Sequence, residues 1–293
     1  MTQKPKIAVL LATHHPSEYV LEQIESIKNQ ELVEPIIYWG DFNSTQEELE
    51  MVKSALAGVD HRVFAVQKAG PAANFFKLLE NCNERFIAFA DQDDIWLPRK
   101  LYTQYKMLEE VHEVPALIHS NSLLLEGNVI RTKRNLCHGH SFDDLAFTNC
   151  CQGCTMLINQ EARLQILKNL PKDIIWHDWW IALVVSLTGR VLFSIEPDTI
   201  YRLHVGNTIG IPTRLRRLYR YLDRPRGQVR YQIVSAIRIF SNHPLILTNS
   251  RRYQRMLSDN FFERLLGVIS DKKRRSNIFE ELARRILWVI KIP

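Results

Sequence analysis

This 293-residue sequence lacks both of the common glycine-rich phosphate loops. It contains neither the G-x-G-x-x-G pattern of dinucleotide-binding proteins nor the G-x-x-x-x-G-K-[ST] pattern of P-loop proteins, so it supports neither chemistry. No apolar run approaches the ~20 residues that a membrane-spanning helix needs. Internal repeats and low-complexity segments are also absent, and the 46% hydrophobic and 24% charged residues are typical of a folded globular protein. We therefore expect one large α/β domain, or one domain with an appendage.

Cysteine is scarce, with five residues, which is an odd number. No secretory signal is evident, because the first residues, MTQKPK, lead directly into a predicted strand. Together these features predict reduced thiols and a cytoplasmic protein. The segment 137–154 contains a C-x-x-C pair and two histidines but no second clean pair, so we expect buried thiols there rather than a zinc site. The adjacent His14 and His15 are interpreted as a loop pair.

The net charge of +6 conceals a strong asymmetry. Residues 1–211 hold 19 Lys and Arg against 26 Asp and Glu, a net charge of −7, whereas residues 212–293 hold 19 against 6, a net charge of +13. The change near Pro212 predicts a domain boundary. Beyond it we expect a basic α-helical C-terminal region, in which residues 278–292 have the pattern of an amphipathic helix.

Short apolar runs alternate with helix-periodic polar segments through the first hundred residues. The predicted strands are 7–12, 35–39, 62–66 and 86–90, and the predicted helices are 18–30, 44–56 and 72–82. The first and fourth strands are apolar almost throughout, as in a parallel sheet covered on both faces. This alternation predicts a Rossmann-like, doubly wound, mostly parallel sheet.

The second half has a different pattern, which predicts a small antiparallel part. Its predicted elements are a helix at 98–110, a strand pair at 116–130, a strand at 153–159, a helix at 160–170, a buried helix at 173–189, and short strands at 191–194 and 199–204. Pro98 suits the first turn of its helix, and Gly189 suits the end of the buried one.

Polar clusters follow three of the predicted strands, at 13–15, 40–45 and 91–94. In a doubly wound sheet, ligands bind beyond the carboxyl ends of the strands. The first half therefore has the organisation of a nucleotide-binding half-sheet.

Three carboxylates crowd the end of the fourth predicted strand, in the stretch FIAFADQDDIW. Asp91, Asp93 and Asp94 should repel one another there, which calls for a positive charge. An Asp-x-Asp at this position can hold a hard divalent cation that bridges to a diphosphate. The alternative is an acidic turn in which Asp94 caps the following helix.

Two later motifs add ionisable groups. Asp178 and His177 lie among tryptophans in WHDWW, and burial there would raise the pKa of Asp178 and make it a usable general base. Arg202 and His204 are two apart on a predicted strand and share a face, where Arg could pair with phosphate and His could bind a metal. The alternative for Asp178 is an ordinary helix-terminal Asp in a tryptophan-rich core. The alternative for Arg202 and His204 is an edge strand on which both side chains are solvated.

Taken together, these motifs resemble the family 2 glycosyltransferases with the GT-A fold, and most closely their bacterial rhamnosyltransferase-like branch. The matching segments, which occur in the same order as in the family, are VLLATHHPSEYVLEQIESIKNQ, NFFKLLENC, FIAFADQDDIWLPRKL, GCTMLIN, HDWW and IYRLHVGN. They span roughly residues 5 to 210. The resemblance implies a GT-A catalytic domain over 1–211, with a nucleotide-binding half at about 1–100 and an acceptor-binding half at about 101–211.

The activity that the resemblance implies is an inverting transfer of a sugar from a nucleoside diphosphate donor, such as a UDP- or dTDP-sugar, to a glycan hydroxyl. Thr13 and Asp41 match the positions that hold the donor's base, Asp91 matches the residue facing its ribose and sugar, and Arg202 belongs to the same donor site. Residues 42–43, Phe and Asn, replace the second Asp and the Gly that usually follow the second strand, which puts the nucleotide contact of Asp41 in question.

The resemblance also implies Mg²⁺ or Mn²⁺ as cofactor. Asp93 matches the metal-ligating carboxylate, and His204 matches the late histidine that approaches the metal and diphosphate. Asp178 matches the catalytic base that deprotonates the acceptor. His177 stands where a second acidic residue often precedes this base, and we expect at most a tuning effect from it.

The basic region 212–293 fits an anionic membrane surface, and hence a lipid-linked glycan acceptor at the inner face of a bacterial membrane, in surface polysaccharide synthesis. Alternatively it packs on the catalytic domain and exposes its arginines. Arg among aromatics also suits nucleic acid, although we do not expect that partner. Two rival functions are a nucleotidyltransferase that makes an activated sugar, which usually has a glycine-rich loop after the first strand, and a non-catalytic adaptor, against which Asp93 and Asp178 argue.

Overall fold

The computed structural model describes residues 3–66, 70–132, 139–147, 149–174, 176–204 and 228–258, together with Asn260, Phe262, Glu263 and Leu266. The chain divides into two compact units. The first comprises the described residues of 1–136 and 149–207, and the second those of 137–148 and 208–293. Residues 139–147 therefore group with the C-terminal region, an assignment that the sequence pattern does not predict.

One mixed sheet organises the first unit. Its strands are β1 (Lys6–Thr13), β2 (Glu34–Asp41), β3 (His61–Ala65), β4 (Phe86–Ala90), β5 (Ile95–Trp96), β6 (Ala116–Glu126), β7 (Val129–Thr132), β8 (Met156–Asn159) and β9 (Arg190–Leu203). Their order is β3-β2-β1-β4-β8-β6-β9-β5, with β7 paired to β6. The first four strands are parallel, and β8 joins them antiparallel to β4. The predicted α/β class, with a doubly wound parallel part and an antiparallel part, is confirmed.

The order of the strands fixes the position of the ligand crevice. From β1 the chain winds outward through β2 and β3, and it then returns to place β4 on the other side of β1. The carboxyl ends of β1 and β4 therefore lie at a topological switch point, which is where open α/β sheets bind ligands.

Three helices connect these strands as predicted: α1 (Tyr19–Lys28), α2 (Gln46–Ala55) and α3 (Pro71–Asn81). Local chemistry explains where α2 begins. The Thr45 side chain accepts a hydrogen bond from the Glu48 N–H, and the Glu48 carboxylate accepts one from the Thr45 N–H at 2.6 Å. This reciprocal capping box satisfies two backbone donors that the helix itself leaves free.

The second half contains α4 (Lys100–Glu109), α6 (Gln160–Lys168) and α7 (His177–Thr188). A short α5 (Phe142–Phe147) comes between α4 and α6 and belongs to the second unit. Several predictions about this half are wrong in their bounds. The strand predicted at 153–159 begins at Met156, after a 3₁₀ turn (Gly153–Thr155), and the helix predicted at 173–189 begins at His177. The helix predicted from Pro98 begins at Lys100, and Arg99 precedes it without a side-chain cap. The two short strands predicted at 191–194 and 199–204 are one strand, β9, because an irregularity in its pairing with β6 accommodates Pro197.

A buried ion pair joins α4 to β9. Lys100 Nζ lies 3.0 Å from Asp198 Oδ1, and the Lys100 side chain is fully buried. Gln104 and Ser120 donate to the same carboxylate, so its oxygens have several partners. Because a buried charge is costly unless it is paired and hydrogen-bonded, this network constrains the position of α4 beside the sheet.

The second unit is helical where it is described. Its further helices are α8 (Gln228–Ile239), α9 (Pro244–Thr248) and α10 (Ser250–Leu257). Asp143 of α5 accepts a hydrogen bond from the Tyr253 hydroxyl at 2.7 Å and pairs with Arg252 at 3.0 Å. The amphipathic helix predicted at 278–292 lies outside the described residues. Among the helices that are described, none combines the length and the apolarity of a membrane span.

The cysteines only partly follow the expectation of reduced thiols. Cys82, Cys151 and Cys154 are free and buried. Cys150, by contrast, is disulfide-bonded, so the prediction that all of the thiols are reduced is wrong. The odd number of cysteines did not indicate which of them would pair.

Candidate active site

The ends of β1 and β2 form the first corner of the site. Thr13 and Asp41 are register partners in the parallel pair, and the Thr13 hydroxyl donates to Asp41 Oδ1 at 2.6 Å. The indole N–H of Trp39 donates to Thr13 Oγ1 at 2.9 Å, which fixes the direction of the hydroxyl. The two residues predicted to hold the donor's base are therefore in direct contact.

The turn after β2 keeps its shape despite the unusual residues at 42–43. Asn43 has a φ of +62°, in the left-handed region that Gly adopts freely and Asn tolerates better than most residues. Ser44 then folds back, and its N–H and hydroxyl both donate to the Asp41 carboxylate, at 3.1 and 2.7 Å. Asn43 can thus replace the usual Gly while Asp41 remains ordered.

Asn74 also belongs to this corner, although no sequence motif predicts it. It is buried on α3, and its Nδ2 donates to the Gly40 carbonyl at 2.8 Å and to the Thr13 carbonyl at 3.5 Å. A Cβ at Gly40 would lie only 2.3 Å from Asn74 Oδ1, so glycine is required there. The sequence indicates its role only through the position of a single amide side chain among the mostly apolar residues of AANFFKLL.

The loop after β1 is tied to the loop after β4. The His14 N–H donates to Gln92 Oε1 at 2.9 Å, and Gln92 Nε2 donates back to the His14 carbonyl at 3.2 Å. His15 Nδ1 lies 3.1 Å from Glu48 Oε2. The histidine pair therefore has intramolecular partners, in agreement with its interpretation as a loop pair.

The carboxylates after β4 occupy different environments. Asp91 and Asp93 are half-buried, whereas Asp94 is fully buried. Burial, together with the charges of Asp94, Asp93 and Asp178, raises the pKa of Asp91 well above its usual range. Burial and the charge of Asp93 raise the pKa of Asp94 to about 7, although the Cys154 thiol and the Arg202 N–H partly offset this by hydrogen bonding to it. The structure therefore contains the repulsion between the three carboxylates that the sequence predicts.

Asp94 is not a helix cap, which corrects the alternative interpretation of this stretch. The helix begins six residues later, and the Asp94 carboxylate instead accepts a hydrogen bond from the Arg202 backbone N–H at 3.2 Å. Its Oδ2 is buried without a hydrogen-bond partner among the described residues.

His204 and Arg202, which were predicted to share a strand face, both contact Asp93. His204 Nε2 lies 2.7 Å from Asp93 Oδ2, while Arg202 Nε donates to the Asp93 carbonyl at 3.1 Å. The Arg202 guanidinium also pairs with Glu22 at 2.9 Å and stacks over the Tyr19 ring at 4.3 Å. Arg202 thereby supports the loop that carries Asp93.

At the end of β4, two groups of described side chains could hold a divalent cation. Asp91, Asp94 and Cys154 can offer ligand atoms within 4.8 Å of one another, but Asp94 and Cys154 are buried and burial raises the pKa of the Cys154 thiol. Asp93 and His204 retain 18% and 25% side-chain exposure. Carboxylate oxygen and imidazole suit Mn²⁺ or Mg²⁺ better than a neutral thiol does, so the accessible pair fits such a cation.

Asp178 lies in the first turn of α7, and its carboxylate accepts several hydrogen bonds, one of them from its own backbone N–H. Its Oδ1 accepts from the Trp179 N–H at 2.7 Å, its Oδ2 accepts from Asn149 Nδ2 at 2.9 Å, and the Gly153 backbone N–H contributes a further bond. Burial nevertheless raises the pKa of Asp178 to about 6, because the loss of hydration outweighs these bonds. A carboxylate with such a pKa can act as a general base near neutral pH.

His177 has a packing role rather than an acid–base role. Its ring lies 4.1 Å from the Phe75 ring and 5.8 Å from the Phe89 ring, and burial lowers the pKa of His177 to about 3. The imidazole is therefore neutral at physiological pH and does not act on Asp178 through its charge. A Cβ at Gly153 would lie 2.7 Å from His177 Nε2, so the close approach of this loop requires glycine.

These contacts arrange most of the predicted residues in two groups. Thr13 and Asp41 form one corner, and Asp93 forms another with His204 and Arg202. The charge of Asp178 contributes to raising the pKa of Asp91, so the candidate base interacts electrostatically with a carboxylate at the end of β4.

A protein-family model described as Glycosyl transferase family 2 matches residues 8–156, just over half of the chain. The chain belongs to glycosyl transferase family 2. The dTDP-rhamnosyl transferase RfbG of Shigella flexneri is 26% identical to this glycosyltransferase over 240 residues, which cover 74% of this chain and 80% of the relative. The predicted resemblance to the bacterial rhamnosyltransferase-like branch is thus confirmed.

Solved structures agree on the fold of this glycosyltransferase. S. aureus TarS 1–349 in complex with UDP-GlcNAc aligns at a TM-score of 0.58 and 14% identity, over 97% of this chain and 81% of that one. The mannosyltransferase PcManGT from Pyrobaculum calidifontis, in complex with GDP-Man and Mn²⁺, aligns at a TM-score of 0.54 and 13% identity, over 99% and 87% of the two chains. At such identities the likeness shows the GT-A fold alone.

Proposed function

We propose that this glycosyltransferase moves a sugar from a nucleoside diphosphate donor, a UDP- or dTDP-sugar, to a hydroxyl group of a glycan acceptor with inversion at the anomeric carbon. The observation that carries the proposal is a half-buried Asp178 whose pKa is raised to about 6 and whose charge acts on Asp91 at the switch point of the sheet. The kinship with a dTDP-rhamnosyl transferase supports a dTDP-sugar as one of the donors to test.

The chemical step is a single displacement. Asp178 takes the proton from the acceptor hydroxyl, and the hydroxyl oxygen forms a bond to the anomeric carbon. The bond from that carbon to the diphosphate oxygen breaks, and the nucleoside diphosphate leaves with the electron pair. Because attack and departure occur on opposite faces, the configuration inverts. A single displacement of this kind needs one base and no covalent intermediate.

The donor would be held by two groups of residues. Thr13 and Asp41, already fixed against each other, would bind the nucleoside base, and Asp91 would face the ribose and the sugar. Asp93 and His204 would hold Mg²⁺ or Mn²⁺, a Lewis acid that neutralises charge on a leaving diphosphate. Arg202, through its contacts with Asp93 and Glu22, would keep this metal-binding loop in place and contribute positive charge beside the diphosphate.

The two halves of the catalytic domain divide the substrates in this proposal. Residues 1–100 would bind the nucleotide, and residues 101–211, which supply Asp178, would bind the acceptor. A lipid-linked glycan in bacterial surface polysaccharide synthesis is the acceptor that we propose, with the protein in the cytoplasm. The enzyme would reach such a lipid if residues 212–293, with a net charge of +13, bound the anionic inner face of the membrane.

If the positive charge of residues 212–293 binds the membrane, we expect the protein to sediment with vesicles that contain anionic lipid and not with purely zwitterionic vesicles. Salt should weaken the binding, because screening reduces the attraction between exposed charges. Equal binding to both kinds of vesicle, or none to either, would contradict the proposed surface.

A thermal-shift screen of nucleoside diphosphate sugars, with and without Mn²⁺, tests the proposed activity. A true donor at about 100 times its Kd should raise the Tm by about 5 °C or more, and Mn²⁺ should increase the shift. Free nucleoside monophosphates serve as controls. If UDP-, dTDP- and GDP-sugars all left the Tm unchanged in the presence of Mn²⁺, the proposal would be wrong; for a sugar that binds, formation of a glycosylated product completes the test.

A further inference from the structure

Asn149 contacts the candidate base directly, although no sequence motif singled it out. Its Nδ2 donates to Asp178 Oδ2 at 2.9 Å across 29 residues of sequence. Its Oδ1 accepts from the Cys151 backbone N–H at 3.0 Å. Because Oδ1 is committed to an N–H donor, the amide is oriented with its NH₂ group towards Asp178.

The remaining contacts leave Asp178 little freedom. Its Oδ1 accepts from the Trp179 N–H at the first turn of α7, where the helix dipole also favours negative charge. The backbone N–H groups of Gly153 and of Asp178 itself also donate to the carboxylate. Asn149 is the side chain that donates to the second oxygen, Oδ2, and its amide thereby orients this oxygen and stabilises the charged form of the carboxylate.

The ionisable groups that face Asp178 in the described part of the chain do not substitute for Asn149. Asp91, from the end of β4, is a like charge. Burial raises the pKa of the Cys151 thiol, which is therefore neutral, and His177 on the same helix is neutral because burial lowers its pKa. These neighbours oppose ionisation of Asp178 or are neutral.

We propose that Asn149 is a positioning residue that orients the Asp178 carboxylate and holds it in the charged form. Its consequence for catalysis rests on the proposed function, in which Asp178 must be charged to accept the proton of the acceptor. The contact itself is a property of the free protein and can be tested without any substrate.

Two variants separate this role from simple packing. Asn149→Ala removes the donor, and Asn149→Asp keeps the shape while placing a second carboxylate against the first. Asn169→Ala is the matched control, since Asn169 is also half-buried and its Nδ2 also makes one hydrogen bond, to the Gln165 carbonyl at 2.8 Å. All three proteins are first compared with the wild type by thermal melting and circular dichroism.

The deciding measurement is an NMR titration of the full-length protein with ¹³C-labelled aspartate carboxyl groups, in which the signal that Asp178→Asn removes identifies Asp178. We expect its titration midpoint to rise by about one pH unit in Asn149→Ala, the usual scale for losing a hydrogen bond to a charged group. The rise should be larger in Asn149→Asp and absent in Asn169→Ala. Unchanged midpoints in two folded Asn149 variants would overturn the proposal.

Kinetics then connect the contact to the reaction. With a donor identified in the thermal-shift screen, the acid limb of kcat/KM should move to higher pH by the same amount as the NMR midpoint, while donor affinity stays within a few-fold of the wild type. A shifted midpoint in a protein that transfers no sugar would refute the proposed function and leave the positioning role intact. A normal acid limb in an active Asn149→Ala enzyme would refute the positioning role and leave the function intact.

Discussion

Replacing Asp178 with asparagine is expected to lower kcat for sugar transfer by about a thousand-fold, within the range that a lost general base usually costs. The amide has nearly the same shape and can still accept the hydrogen bond from the Trp179 N–H, which the carboxylate receives at 2.7 Å. It cannot take a proton from the acceptor. Steady-state rates with saturating donor and acceptor measure the loss, and the thermal shift caused by donor should persist.

The same base predicts the pH dependence of the wild type. Burial raises the pKa of Asp178 to about 6 from an ordinary value near 4, so the charged, reactive form is lost as the pH falls through about 6. The rate should therefore be nearly constant above this value and fall about tenfold per pH unit well below it. The residual activity of Asp178→Asn should lack this limb.

Asp173→Asn is the matched control for Asp178→Asn, because Asp173 is an exposed carboxylate in the segment that leads into α7. It should leave both the rate and the pH profile unchanged. A loss of less than about tenfold in Asp178→Asn, or an acid limb that survives the substitution, would assign the base to another residue.

Local signals explain why much of this site could be predicted. The apolar run FIAFA and the carboxylates after it are adjacent in sequence, so their place at the end of a buried strand follows from strand length and hydrophobicity. The parallel alternation then predicts that Thr13 and Asp41 end at the same edge of the sheet. The spacing of Arg202 and His204 predicted a shared face, and both side chains contact Asp93.

The features that escaped prediction depend on contacts between distant parts of the chain. Asn149 and Asn74 are ordinary amides in sequence, and their roles come from partners that only the folded sheet brings near. The sequence allows Asp94 to be the N-cap of the following helix, and only the start of α4 at Lys100 excludes this role. The continuity of β9 depends on its register with β6, which no periodicity within 190–203 reveals.

The carboxylates after β4 connect stability to function. Burial and like charges raise the pKa of Asp91 and Asp94, which means that their charged forms are held at a free-energy cost. A divalent cation at Asp93 and His204 would relieve that repulsion. Because the cation would offset the repulsion between these carboxylates and an anionic donor, we expect the cation and the donor each to increase the affinity for the other.

Replacing Asp93 with alanine should remove this coupling and lower kcat/KM by about 100- to 1,000-fold, since a Lewis acid commonly contributes several kcal/mol to the transition state. The variant should also lose the part of the donor-induced thermal shift that depends on Mn²⁺, while keeping the metal-independent part that comes from the nucleoside corner. Titration of Mn²⁺ in the presence of donor measures this loss, and a chelator should bring the wild type to the same level.

His204→Ala should produce a smaller loss of the same kind, because the imidazole is a neutral ligand beside a carboxylate. Asp60→Asn, at an exposed carboxylate before β3, is the control for a change of charge alone and should behave as the wild type does. If Asp93→Ala retained its response to Mn²⁺ while Asp91→Asn or Cys154→Ser abolished it, the cation would belong to the buried group of Asp91, Asp94 and Cys154. The cation would then offset the repulsion between the carboxylates after β4 from this group rather than from the more accessible pair, Asp93 and His204.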